Sequence, residues 1–240
     1  MDLNDVDVVL VRPARPANVA AACRALKNMG LSRLTLVGMT PGDIPIEARA
    51  LAYGAWDLLD GARSVASLEE AVAEVVTVVG TTGRDTPGAQ PARELASRAA
   101  SLAGGGRLAL VFGPESTGLT RRELALCHHT VHVPTSPEHP SLNLAQAVLL
   151  LAYELRLAAL AGAPGAAAPR PRVGAATAGD MEQALGELRT ALLAIGYLNP
   201  ANPEAILAEL RQILVRAAVT PREVTLLRGM ARQIAWAAGR

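Results

Sequence analysis

Short apolar runs rich in β-branched residues alternate with helix-like stretches over the first 160 residues of the chain. The runs predicted as strands are Val6–Val11, 34–37, 75–79, Leu108–Phe112 and 131–133. They are apolar at nearly every position, which is typical of parallel strands that are buried on both faces. The pattern therefore predicts an α/β fold, with a mostly parallel sheet that carries helices on both faces.

Helix boundaries are marked by caps at several points. Asn18 is expected to cap a helix over 19–29 that ends at Gly30, and Thr120 with Glu123 has the spacing of a capping box. A further helix is predicted over 142–160. It is apolar almost all round, so it must be buried against another element or a second copy of the chain.

The stretch 162–179 consists almost entirely of Ala, Gly, Pro and Arg, a composition that cannot bury a core. We therefore predict a domain over 1–161, a linker over 162–179 and a small helical module over 180–240, with Asp180 capping the first helix. Residues 1–160 carry 14 basic and 16 acidic groups, whereas 161–240 carry nine and six. The basic module permits a nucleic-acid partner without requiring one.

Composition excludes several classes of protein. No uninterrupted apolar stretch is long enough for a membrane span, and no signal peptide is visible, so a cytoplasmic protein is expected. Two cysteines, Cys23 and Cys127, cannot build a disulfide framework. Four histidines, at 128, 129, 132 and 139, raise the alternative of a metal site, but their spacing matches no standard zinc pattern. We predict no bound metal.

Three loops that follow predicted strands combine Gly or Pro with small hydroxyl side chains. They are 80–83, 113–118 and 134–143. Ligands of parallel α/β sheets bind beyond the carboxyl ends of the strands, which is where these loops lie. None of them matches the dinucleotide or nucleoside triphosphate fingerprints, so a different ligand is expected.

Together these segments resemble the motifs of the SpoU branch of the SPOUT methyltransferases. Asn18, Arg24 and Gly30 resemble the first motif, 110–119 (LVFGPESTGL) the second and 141–147 (SLNLAQA) the third. Ala20 departs from the glycine that is usual in the family, and we expect no lost chemistry because alanine suits a helical turn. Segments 192–197, 210–217 and 226–230 resemble the helical extension of the TrmJ-type tRNA 2′-O-methyltransferases.

The resemblance implies a C-terminal trefoil knot in the sheet domain, S-adenosylmethionine as cofactor, and a homodimer whose interface completes the site. It implies methylation of a ribose 2′-hydroxyl in tRNA, at nucleotide 32 of the anticodon loop. The implied cofactor contacts are Thr81, Thr82, Gly83, Gly113, Val133, Ser141, Leu142 and Asn143.

The resemblance also implies the roles of individual side chains. Arg24, Ser141 and Asn143 are the expected catalytic residues, and Asn18, Arg24 and Glu115 the expected substrate contacts. A guanidinium has a pKa above about 12, so Arg24 is expected to activate the hydroxyl electrostatically more readily than as a base.

Alternatives remain at each position. Arg24 can be a solvated surface residue, Ser141 a helix cap, and Glu115 a brace of its loop. The alternative functions are a ribosomal RNA methyltransferase of the same family and a knotted RNA-binding protein without catalysis.

Overall fold

One seven-stranded sheet forms the centre of the first 161 residues. The computed structural model describes residues 2–83, 86, 88–161 and 174–239. The strands are β1 (Val6–Val11), β2 (Arg33–Val37), β3 (Arg63–Val65), β4 (Thr77–Thr81), β5 (Gln90–Pro91), β6 (Leu108–Phe112) and β7 (His129–His132). Every strand pair is parallel, and the order across the sheet is β3-β2-β1-β6-β4-β7-β5. The predicted α/β class with a parallel sheet is confirmed.

Helices cover both faces of this sheet. They are α1 (Pro16–Met29), α2 (Ile46–Arg49), α3 (Trp56–Asp60), α4 (Leu68–Val72), α5 (Ala92–Ala103), α6 (Arg121–Ala125), α7 (Leu144–Leu160), α8 (Ala178–Ala194), α9 (Glu204–Ala217) and α10 (Pro221–Ala238). Within the described residues, no helix is both long enough and apolar enough to cross a membrane.

Side chains of β1 alternate between two apolar cores. Val8 and Leu10 point to the core that holds α1, α5 and α7, whereas Val9 and Val11 point to the core that holds α4. Successive side chains of a strand point to opposite faces, so each core covers one face of β1 and excludes water from it. This explains why β1 is apolar on both faces except at Asp7, which is buried and pairs with Arg33 and Arg107.

Two predicted helix caps are wrong. Helix α1 begins at Pro16 after Arg15, so Asn18 lies inside the first turn. Proline suits that position because its fixed φ is helical and it lacks the N–H that would otherwise be unpaired. Helix α8 is capped by Thr177, and Asp180 is the reciprocal partner three residues into the helix. The capping box of Thr120 and Glu123 is confirmed.

Two strands are displaced from their predicted positions. The prediction 75–79 is observed as β4 (Thr77–Thr81), and 131–133 is observed as β7 (His129–His132). Val75 is buried but lies outside the strand ladder, where its carbonyl accepts the N–H of Ala178 at 2.8 Å. Apolar composition alone does not distinguish a buried residue outside a strand, such as Val75, from one that pairs within a strand.

The C-terminal helices contact the sheet domain through backbone groups. Ala178 binds Val75 as described above, and the Gly179 N–H donates to the carbonyl of Ala73 at 3.1 Å. Helix α8 begins at Ala178, two residues before the predicted start of the module. Most of the predicted linker, 162–173, lies outside the described residues, and the predicted domain boundaries stay a prediction.

Candidate functional site

The three loops predicted to bind a ligand leave neighbouring strands at the same edge of the sheet. Strands β6, β4 and β7 are adjacent and parallel, so their carboxyl ends lie side by side. The N–H of Thr82, in the loop after β4, donates to the carbonyl of Val131 in β7 at 2.9 Å. The strand order therefore brings the loops together, as the sequence pattern predicts.

Two glycines shape these loops in different ways. A Cβ on Gly113 would lie 2.3 Å from the backbone of Gly118 and Leu119, so only glycine allows the loop after β6 to fold back on itself. Gly118 adopts a positive φ of 67° and donates its N–H to the carbonyl of Pro114 at 2.8 Å. Gly83, by contrast, borders open space.

A chain of hydrogen bonds connects the three motifs. The side-chain amide of Asn18 donates to Glu115 Oε1 at 2.7 Å, and its oxygen accepts from Asn143 Nδ2 at 2.9 Å. These residues lie 97 and 125 positions apart in the chain. Asn18 is thus the link between the second and third motifs, a role that replaces its predicted role as a cap.

Glu115 holds the loop between β1 and α1. Besides Asn18, it accepts the backbone N–H groups of Ala14 at 2.8 Å and Arg15 at 3.2 Å. Burial alone would raise the pKa of Glu115, but these hydrogen bonds outweigh it and lower the pKa below its usual value. The carboxylate is therefore charged at neutral pH, and its contacts are those of a residue that braces its loop.

Asn143 caps α7 while it binds Asn18. Its Oδ1 accepts the N–H of Ala145 at 2.9 Å and of Gln146 at 3.4 Å, so the amide nitrogen remains free to donate across the site. Ser141 is exposed and does not cap the helix. Leu142 and Val133 are partly buried near the same loop. Asn143 thus stabilises the start of α7 and also connects that helix to Asn18 in the site.

Arg24 lies away from this hydrogen-bonded chain. It is six residues beyond Asn18 in α1, which corresponds to about 9 Å along the helix and to a different helix face. Arg24 is exposed, and its guanidinium carbon lies 6.0 Å from the centre of the Tyr53 ring. Within the described part of the chain Arg24 forms no ion pair, and it is not part of the hydrogen-bonded chain that holds Asn143.

The histidine cluster is divided among different environments. The His128 ring is buried and accepts the Val78 N–H through Nδ1 at 3.2 Å. Burial chiefly lowers the pKa of His128 to about 4, so the ring is neutral. The Nδ1 atom of His132 is buried without a hydrogen-bond partner among the described residues. Across 2–83, 86, 88–161 and 174–239, no group of three or more His, Cys, Asp or Glu residues is suited to a metal ion.

The cysteines take no part in this site. Burial raises the pKa of both Cys23 and Cys127 to about 12, so each is a neutral thiol at physiological pH. Cys127 lies against Gly80, where an added Cβ would come within 2.6 Å of the sulfur. Its role is packing against β4.

Sequence reasoning missed two features near the site. Arg12 adopts a positive φ of 44°, which is uncommon outside glycine, and its guanidinium binds Glu123 at 2.6 Å. Tyr53 lies beside Arg24 and pairs with Trp56, with the two ring centres 5.7 Å apart. The aromatic pair has a sequence signal, because two aromatic residues within four positions stand out in a chain that is 2% aromatic.

A cavity of about 820 Å³ lies at the other end of the sheet, between the sheet domain and the C-terminal helices. It is bordered by Thr77 and His129, which begin β4 and β7, and by Val215 of α9. It is therefore separate from the three loops, which leave the opposite ends of the same strands.

Two family models match separate parts of the chain. The model of the SpoU rRNA methylase family matches residues 5–153, and the model of the C-terminal domain of the tRNA methyltransferase TrmJ matches residues 179–240. The tRNA (cytidine/uridine/adenosine-2′-O-)-methyltransferase TrmJ of Pseudomonas aeruginosa is 41% identical, over 95% of this chain and 93% of that protein.

Two further relatives extend over both parts of the chain. The tRNA (cytidine/uridine-2′-O-)-methyltransferase TrmJ of Cronobacter sakazakii is 38% identical, over 97% of this chain and 96% of that protein. The crystal structure of TrmJ from Z. mobilis is 32% identical with a TM-score of 0.79, over 95% of this chain and 98% of that one. The similarity thus includes the helical module as well as the sheet domain.

Proposed function

The chain belongs to the SpoU methylase family, and from this we propose that it is an S-adenosylmethionine-dependent methyltransferase that modifies a ribose 2′-hydroxyl of tRNA. The hydrogen-bonded chain of Glu115, Asn18 and Asn143 is the observation that carries the proposal, because it joins all three motifs at one edge of the sheet. We assign the target to nucleotide 32 of the anticodon loop. A tRNA substrate also makes the cytoplasm the expected compartment.

tRNA is favoured over ribosomal RNA by the C-terminal helices. The family model that matches residues 5–153 is named for ribosomal RNA. The model that matches residues 179–240 is named for tRNA, and so are the similar full-length proteins. The competing proposal of a binding protein without catalysis is disfavoured because Arg24, Ser141 and Asn143 are all present.

The loops fit S-adenosylmethionine by their shape and polarity. Gly83 borders open space, and the tight turn at Gly113 presents backbone groups where a side chain would otherwise stand. We propose that Thr81, Thr82, Gly83, Gly113, Val133, Ser141, Leu142 and Asn143 hold the cofactor. Strand-end loops of this kind offer adenine an apolar slot with fixed backbone donors and acceptors. When bound, the cofactor supplies an electrophilic methyl group.

The residues of the chain prepare the ribose for that transfer. Arg24 neutralises a phosphate of the RNA and favours ionisation of the 2′-hydroxyl through its fixed positive charge. Ser141 and Asn143 position the hydroxyl, and Asn18 holds Asn143 in place. Glu115 orders the loop that precedes α1, and together with Asn18 it is proposed to contact the substrate as well.

We propose that a second copy of the chain completes the site. Helix α7 exposes apolar side chains on the face opposite its buried one; they are Leu149, Leu150, Tyr153, Leu157 and Leu160. Covering this face would remove apolar surface from water, which favours association. Arg24 lies outside the hydrogen-bonded chain that holds Asn143, which fits a site in which Arg24 serves the partner. We also propose that the segment leading into α7 forms the trefoil knot of the family.

Transfer of tritium from labelled S-adenosylmethionine tests this function. Purified protein is incubated with total tRNA and, separately, with ribosomal RNA, in the presence of a metal chelator. We expect label in tRNA alone. Label confined to ribosomal RNA would support the alternative substrate, and label in neither would support the binding protein.

A further inference from the structure

Aromatic side chains are scarce in this chain, and the surface holds most of them. The sequence contains two Trp, three Tyr and one Phe. Phe112 is buried in β6, whereas all the Tyr and Trp side chains are exposed; they are Tyr53, Trp56, Tyr153, Tyr197 and Trp236. The core is therefore built almost without aromatic rings, and the few that are present serve the surface.

Tyr53 and Trp56 form a compact pair, which we call the aromatic patch. Their rings meet edge to face with centres 5.7 Å apart, and they remain 67% and 48% exposed. Trp56 is oriented by its Nε1–H, which donates to the carbonyl of Arg49 at 3.3 Å. The patch thus presents ring surface to solvent in a defined geometry.

A positive charge without a carboxylate partner borders the aromatic patch. The Arg24 guanidinium lies 6.0 Å from the Tyr53 ring centre, within the range of a cation–π contact. The two carboxylates of α3 are paired elsewhere, Asp57 with Lys27 and Asp60 with Arg49. Among the described residues Arg24 is in no ion pair, so its charge is available to an anion.

We propose that the aromatic patch stacks an unpaired nucleobase of the RNA, next to the ribose whose phosphate Arg24 binds. Exposed rings beside a free cation match single-stranded nucleic acid, since any base has a face to stack and each nucleotide carries a phosphate. The patch would position a neighbour of the methylated nucleotide and so favour a loop over a duplex. This inference rests on the proposed function, because it takes Arg24 to face the RNA.

Substitutions separate ring stacking from simple apolar contact. Tyr53→Ala and Trp56→Ala are each expected to raise the KM for tRNA about tenfold, within the range measured for loss of one stacked base. We expect kcat and S-adenosylmethionine affinity to stay unchanged. Tyr53→Phe and Trp56→Phe keep a ring and are expected to restore most of the KM.

Ile46→Ala is the matched control for this series. Ile46 is 79% exposed in the neighbouring α2 but carries no ring, so its loss is expected to leave the KM unchanged. An equal effect of Ile46→Ala, or conversion of the Tyr53 and Trp56 variants to monomers in sedimentation analysis, would assign the patch to a protein partner and overturn the proposal.

Tryptophan fluorescence tests the contact directly. In a Trp236→Phe protein the only tryptophan is Trp56, and a stacked base is expected to quench it as an unmodified anticodon stem-loop is titrated. Saturable binding without quenching would overturn the proposal even if the alanine variants fail to fold. Quenching by the stem-loop in a protein that transfers no methyl group to tRNA would contradict the proposed function and still support the stacking surface.

Discussion

Asn143 donates its side-chain N–H to the side-chain oxygen of Asn18 at 2.9 Å and joins the start of α7 to the first turn of α1. The same Asn143 caps α7 through its oxygen. One amide therefore fixes both the beginning of a helix and the contact between two motifs. A substitution that separates these two roles tells whether the contact matters for function.

We expect Asn143→Ala to lower the free energy of unfolding by about 1 kcal/mol through loss of the cap. It is also expected to weaken S-adenosylmethionine binding and methyl transfer. Asn143→Ser retains a cap but is too short to reach Asn18, so it is expected to be nearly as stable as the wild type and still impaired in transfer. Calorimetry and a transfer assay measure both effects. Full activity of Asn143→Ser would show that the contact with Asn18 is dispensable.

Arg24→Ala is expected to abolish methyl transfer while cofactor affinity stays within about threefold, because Arg24 is assigned to the RNA side of the site. Arg24→Lys is expected to rescue poorly, since an ammonium lacks the planar two-pronged donor of a guanidinium. Titration calorimetry with S-adenosylmethionine and single-turnover transfer measure the two properties. An equal loss of cofactor affinity in Arg24→Ala would place the residue on the cofactor side instead.

Gly179→Ala is expected to loosen the C-terminal helices from the sheet domain. A Cβ at Gly179 would lie 2.7 Å from the carbonyl oxygen of Ala73, which is backbone and cannot rotate away. Gly186→Ala is the matched control, because it lies in the same helix with nothing within 4 Å of the added carbon. We expect weaker tRNA binding and a shallower salt dependence for Gly179→Ala alone, measured by titration at several salt concentrations. Identical behaviour of the two variants would argue against a role of the docked helices in RNA binding.

Stability is expected to decrease as the pH falls from about 6.5 to about 4, partly because of His128. Burial lowers the pKa of its folded state to about 4, whereas the unfolded chain takes up the proton near 6.5. The unfolded state therefore binds more protons in this window, and about 3 kcal/mol of stability is lost across it. His128→Asn keeps an acceptor for the Val78 N–H and is expected to flatten the dependence. Urea unfolding at several pH values measures it, and an unchanged slope in His128→Asn would contradict this assignment.

The fold was predictable where its signals are local. The capping box of Thr120 and Glu123 and the apolar strand β1 depend on residues that are close in the chain, and both were identified correctly. Asn18 has the composition of a cap, but its partners lie 97 and 125 residues away, so its role was invisible to local patterns. For the same reason, local patterns do not decide whether Glu115 braces its loop or contacts the substrate.

The candidate site was predictable only in part for a related reason. The three loops each follow a predicted parallel strand, which indicated that they share one edge of the sheet, and the adjacency of β6, β4 and β7 brings them there. The position of Arg24 relative to Tyr53 depends on how α1 packs against the segment after β2. Neither spacing nor composition determines that packing.

Nucleotide-resolved mass spectrometry of tRNA treated with the wild-type protein and with Arg24→Ala measures the position of the methyl group and its dependence on Arg24. We expect one added ribose methyl group at nucleotide 32 with the wild-type protein and none with the variant. A methyl group on a base, on a ribose outside the anticodon loop, or at equal level with Arg24→Ala would contradict the proposed function.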